Sequence, residues 1–157
     1  MKKLLLIIYI LAAGISGINA QKTEQELGLI GSILKSEIKV FYAQNIKLST
    51  SESEAFWAIY DEYEAALKPI SNQRVELLKE IIAKEGALSE DELDKKIIAL
   101  DKAQKARQNL RMKFYKKFKK ELGMKVAAQF YQIDGYIYTH INATIIESLP
   151  IIIPEKN

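Results

Sequence analysis

From Leu93 to Leu122 apolar residues return every three or four positions: Leu93, Ile97, Leu100, Ala103, Ala106, Leu110, Phe114, Phe118 and Leu122. A period of 3.6 gathers them on one side of a helix, whereas a strand, with period two, would scatter them over both faces. This run predicts a long helix closed by Gly123, and it sets the pattern for the rest of the chain.

A first helix is expected from about Glu24 to Asn45, with Leu27, Ile30, Leu34, Ile38, Phe41 and Tyr42 on one side and Gly28 and Gly31 weakening its start. Ser49 and Glu52 form an S-x-x-E capping box, after which a second helix should carry Phe56, Ile59, Tyr63, Leu67, Ile70, Leu77 and Ile81 on its apolar face. Pro69 removes one backbone donor inside it, so a kink rather than a break is expected. Gly86 ends that helix. Ser89 and Glu92 repeat the box ahead of the long third helix, where Glu90 and Asp91 suit the positive end of the helix dipole. A fourth helix should run from about Met124 to Thr144 with Val126, Phe130, Ile133, Ile137 and Ile141, and with Gly135 as its weak point.

The fold class is therefore all-α. The second and third helices, each about 35 residues and roughly 50 Å long, should form an elongated antiparallel hairpin with two flanking helices, about four in all. Helices so long in so short a chain leave apolar surface thinly covered, which a curved sheet of helices or a homodimer would relieve.

Residues 1–20 read as a secretory signal. Lys2 and Lys3 form a basic head, Leu4 to Ala13 a nearly unbroken apolar stretch, and Gly14 to Ala20 a small-residue segment ending in a cleavage position at Ala20. The apolar stretch is too short to span about 30 Å of hydrocarbon. Residues 21–148 then form a single helical domain, and 149–157, with Leu149-Pro150-Ile151-Ile152-Ile153-Pro154, an extended tail. The expected location is the periplasm. With no cysteine, neither a disulfide nor a lipidated cysteine is available.

Removing the leader leaves 137 of 157 residues, and the loss of Lys2 and Lys3 brings the balance to 21 basic against 20 acidic. That near-neutral total argues against binding bulk polyelectrolytes, and no nucleic-acid partner is expected. The distribution is uneven, however: Leu93 to Leu122 holds eleven Lys or Arg against three acidic residues, and Thr50 to Glu85 holds eight acidic against four basic.

Catalytic equipment is hard to assemble from this chain. One histidine, His140, rules out multi-histidine zinc sites, and a di-iron bundle would need Glu-x-x-His pairs that are missing. Asp61, Glu62 and Glu64 lie too close in sequence to converge, and no glycine-rich phosphate loop appears. No enzyme activity, cofactor or metal is expected.

Two helix starts are alike. Leu48 precedes Phe56-Trp57-Ala58-Ile59 by eight residues, and Leu122 precedes Phe130-Tyr131-Gln132-Ile133 by the same interval. With these leucine-led starts (Leu48-Ser49-Thr50-Ser51-Glu52 and Leu122-Gly123-Met124-Lys125-Val126), the leader and the long basic hairpin, the chain resembles the Spy/CpxP, or LTxxQ-motif, family of periplasmic helical proteins. It is also similar to divergent Bacteroidetes-type members, and the resemblance covers roughly Asn45 to Tyr138. Glu52 and Val126 stand where the motif has glutamine, and only the first copy keeps a hydroxyl after its leucine. The resemblance implies a cradle-shaped antiparallel homodimer that holds unfolded clients, or a stress-signalling relative of one.

The densest basic stretch is Arg111-Met112-Lys113-Phe114-Tyr115-Lys116-Lys117-Phe118-Lys119-Lys120. It reads either as a solvated helix end whose cations complement the dipole or as a basic, aromatic-dotted surface for acidic, unfolded or lipidic partners. On the second reading Arg111, Lys113, Lys116, Lys117, Lys119 and Lys120 attract a partner, and Phe114, Tyr115 and Phe118 contact it. The expected function is an ATP-independent, stress-related periplasmic holdase for unfolded or partly folded envelope proteins. The alternative is a helical adaptor or sensor-interacting module for one envelope protein. Weak contact with a membrane surface is a third possibility.

Overall fold

The computed structural model describes residues 35–83 and 88–148, and every element among them is helical. The expected leader, the expected start of the first helix, Gly86 and residues 149–157 lie outside the described residues. Helix α1 is described over 35–45, α2 is Thr50–Ala83, and α3 is Glu90–Ser148. None of these helices is long and apolar enough to cross a membrane.

Both capping boxes set helix starts. At α2, the Ser49 hydroxyl accepts from the Glu52 backbone N–H at 3.3 Å, and the Glu52 carboxylate returns to the Ser49 N–H at 2.7 Å. Ser89 and Glu92 make the same reciprocal pair at 3.4 and 3.0 Å ahead of α3. Each box satisfies two N–H groups that a helix start otherwise leaves without partners. Helix α2 passes through Pro69 without a break.

Gly123 is where α3 departs from helix. Its φ of 83° and ψ of 171° lie in a region open to glycine alone. Across that residue the chain folds back on itself. In an unbroken helix Arg111 and Tyr131 would stand about 30 Å apart, yet the Arg111 guanidinium carbon is 3.6 Å from the Tyr131 ring centre. The sequence places a helix boundary at Gly123; among the described residues there are three helices, the third bent there into two arms, 90–122 and 124–148.

The described residues divide into two compact units. The first takes 35–47 and 132–148. Tyr42, Ile46, Ile133 and Ile137 are buried in it, as is Asp134. Phe41 lies flat on Tyr136 at 5.5 Å, and Tyr136 meets the His140 ring edgewise at 4.2 Å.

The second unit takes 48–83 and 88–131. Its core is aromatic. Phe118, fully buried, touches Phe56 at 5.0 Å and Phe130 at 4.4 Å, while Tyr63 touches Phe114 at 5.2 Å and Phe130 at 5.1 Å. Burying a ring of this size contributes about 1.5–3 kcal/mol, and each well-placed ring pair adds about 0.5–1.5 kcal/mol. The pairings Phe56–Phe118, Tyr63–Phe114 and Glu80–Lys96 show α2 and the first arm of α3 running in opposite directions.

Several expected faces shift. Tyr60 and Ala127 join the core although the apolar spacing passed over them. Ile97, expected on the core face, is 47% exposed; a contact between two helices covers only a narrow strip of each, and among the described residues α2 is what pairs with this part of α3, through Glu80 and Lys96. Toward the far end, 64–82 and 90–102 contain no buried residue.

Candidate binding surface

The basic stretch predicted to carry partner contacts wraps around the first arm of α3, so its residues divide by direction. Phe114 and Phe118 point inward, at 5% and 0% exposure, among the rings of the core. The expectation that they contact a partner is corrected: no partner reaches them while the helices stay packed. Lys117 is half-buried and bonds the Glu62 carboxylate of α2 at 2.5 Å. With both side chains partly solvated, that pair contributes at most about 1 kcal/mol. Lys113, Lys116, Lys119 and Lys120 are exposed.

Arg111, Tyr115 and Tyr131 meet across the turn at Gly123. The Arg111 guanidinium lies over the Tyr131 ring and also donates to the Tyr131 carbonyl oxygen. Tyr115 packs its ring edgewise on Tyr131 at 5.7 Å and donates its hydroxyl to the Met124 sulfur at 3.2 Å. Tyr131 is 38% exposed and Met124 56%, so the cluster opens to solvent. A cation held over an aromatic face is worth about 0.5–2 kcal/mol, which fixes the outer rim of the patch, while the exposed Met124 side chain keeps the adaptability of an unbranched thioether.

The two leucine-led helix starts both send an aromatic ring to Phe118. Leu48 and Leu122 are half-buried, each ahead of the helical run it introduces. Phe56 and Phe130 are both fully buried, and both pack against Phe118. Their aromatic neighbours sit further out: Trp57 is half-buried with its ring edge-on to Phe56 at 5.1 Å and to Tyr60 at 5.6 Å, and Tyr131 belongs to the exposed patch. Ser49 and Glu52 serve as a helix cap. The Ser49 hydroxyl and backbone N–H, with a smaller contribution from Lys125, hold the Glu52 carboxyl below the usual carboxylate range.

Met124 was not foreseen as part of the surface. Met124 and Tyr131 stand seven residues apart on one face of the second arm, and the reversal at Gly123 brings Tyr115 of the first arm to them. The legible signal was the glycine, but the angle of the turn was not. Among the described residues no three His, Asp or Glu side chains gather into a metal site. His140 is half-buried against Tyr136, and its carbonyl accepts from the Thr144 hydroxyl at 3.0 Å.

No family model matches the chain, and neither a curated protein nor a solved structure matches it significantly.

Proposed function

We propose that the chain is an exported, ATP-independent holdase of the periplasm, related to the Spy/CpxP proteins that its leader and leucine-led helix starts resemble. On this reading the exported part is a long helical hairpin with flanking helices, working as a homodimer. The observation that carries the proposal is the solvent-open cluster of Tyr115, Met124 and Tyr131 beside exposed Lys113, Lys116, Lys119 and Lys120.

The chemistry suits weak, unselective binding. Thioether and tyrosine surfaces reshape around many apolar segments because they are polarisable and demand little directional pairing. Lysines nearby raise the rate of encounter with acidic chains more than the strength of the complex. A client held this way leaves readily and can fold, which needs no nucleotide.

The test is aggregation of several chemically denatured proteins, followed by light scattering with the purified protein at equal molar ratio. The expected result is suppression, reduced when Met124→Ser and Tyr131→Ser are combined. Unchanged aggregation of every client overturns the proposal. Tight capture of one envelope protein without any effect on general clients replaces it with the adaptor reading.

A further inference from the structure

Lys102, Lys105, Asn109, Met112, Lys116 and Lys119 follow one another along the first arm of α3 in alternating steps of three and four, and all six are exposed. That spacing sets them in one row, about 25 Å long at 1.5 Å per residue. Lys113 and Lys120 lie exposed beside it. Phe114 and Phe118 occupy the opposite side of the same helix, in the aromatic core, so the row is backed by the most firmly packed part of its unit.

Little of this charge is neutralised. Lys105 bonds Asp101 at 2.6 Å, and Lys120 lies 3.6 Å from Glu121. Lys102, Lys113, Lys116 and Lys119 have no ionic partner among the described residues.

We propose that this row is a docking face for an anionic lipid surface. Cations in a line on a stiff helix can all engage at once only if the partner presents negative charge along the whole line, as a layer of phosphate headgroups does. A flexible acidic peptide would have to lose its freedom to match the same row, and no concave pocket of the kind that selects one small anion is needed. Met112, 39% exposed between the lysines, adds an apolar side chain that enters the boundary between headgroups and acyl chains. The lysine stems reach sideways along the helix, keeping their ammonium groups at headgroup level while Met112 dips below them.

The proposal goes beyond client holding, and the aggregation assay contains no lipid, so either can fail without the other. The probe is a pair of vesicle preparations, phosphatidylcholine alone and phosphatidylcholine with phosphatidylglycerol, sedimented with the full chain. The readout is the binding gained when the anionic lipid is included. The apolar stretch Leu4 to Ala13 is common to every variant, so differences among variants do not come from it.

Anionic lipid is expected to increase binding, and added salt to reverse the increase. Lys116→Gln with Lys119→Gln should lower the gained affinity about thirtyfold, from the usual worth of a lysine at an anionic surface. Lys68→Gln with Lys79→Gln, which removes the same charge from exposed sites on α2, should leave most of it. Circular dichroism confirms that both pairs stay helical. The proposal is overturned if anionic lipid adds no binding, if the two double variants lose it equally, or if soluble polyglutamate binds the row while the vesicles do not.

Discussion

The two ends of α2 share one helical pattern and differ in what lies against them. Between Phe56 and Tyr63, α2 meets both arms of α3, and Phe56, Ile59, Tyr60 and Tyr63 are all buried. Beyond Tyr63, contacts such as Glu80 with Lys96 join α2 to the first arm, with no buried residue among the described 64–82, and Leu67, Ile70, Leu77 and Ile81 are only half-buried. Three packed segments enclose a core; two share a seam. The patch of Tyr115, Met124 and Tyr131 sits at the enclosed end, so its geometry rests on the part of the unit with the most buried area.

The largest expected effect breaks that contrast at its centre. Phe118→Ala removes the ring shared by Phe56 and Phe130 and should cost about 3–5 kcal/mol, read as a lower midpoint in urea unfolding. Gly123→Ala comes next. Nothing lies within 4 Å of the Cβ it would add, so the cost is backbone strain at φ 83° rather than a clash. It should amount to about 1–3 kcal/mol, and it should disturb the Tyr115–Met124–Tyr131 patch more than the helix content.

The caps allow a finer comparison. Ser49→Ala and Ser89→Ala each remove a reciprocal box and should cost about 1 kcal/mol. Because the Glu52 carboxyl is held below its ordinary range in the folded chain, its contribution is present at neutral pH and fades as pH falls through the folded value. Glu52→Gln should therefore flatten part of the acid limb of a stability–pH curve. The smallest effect belongs to the two-helix end: Ile97→Ala, at a half-exposed position, should change stability by less than about 0.5 kcal/mol.

Local features were legible in the sequence. Ser49-x-x-Glu52 and Ser89-x-x-Glu92 announce helix starts because the bonds they make lie within four residues. Gly123 announces a break because other residues rarely adopt its backbone angles. Features that depend on distant segments were not legible. The period of 3.6 gave Ile97 and Phe114 equal standing; Phe114 is buried against Tyr63, itself packed on Phe130 of the second arm, while Ile97 lies in a stretch with no buried residue. The basic stretch marked Tyr115 and Arg111 as surface candidates, but it also enlisted Phe114 and Phe118, whose burial depends on Phe56, Tyr63 and Phe130. The patch itself required knowing that residues sixteen and twenty apart would meet.

Amide hydrogen exchange across the second unit tests most directly whether the surface is borne by its firm end. Amides of 56–63 and 114–121 are predicted to exchange only through global unfolding, and those of 70–82 and 93–100 through local opening at lower free energy. Equal protection along both stretches, or greater protection at the two-helix end, would contradict the account.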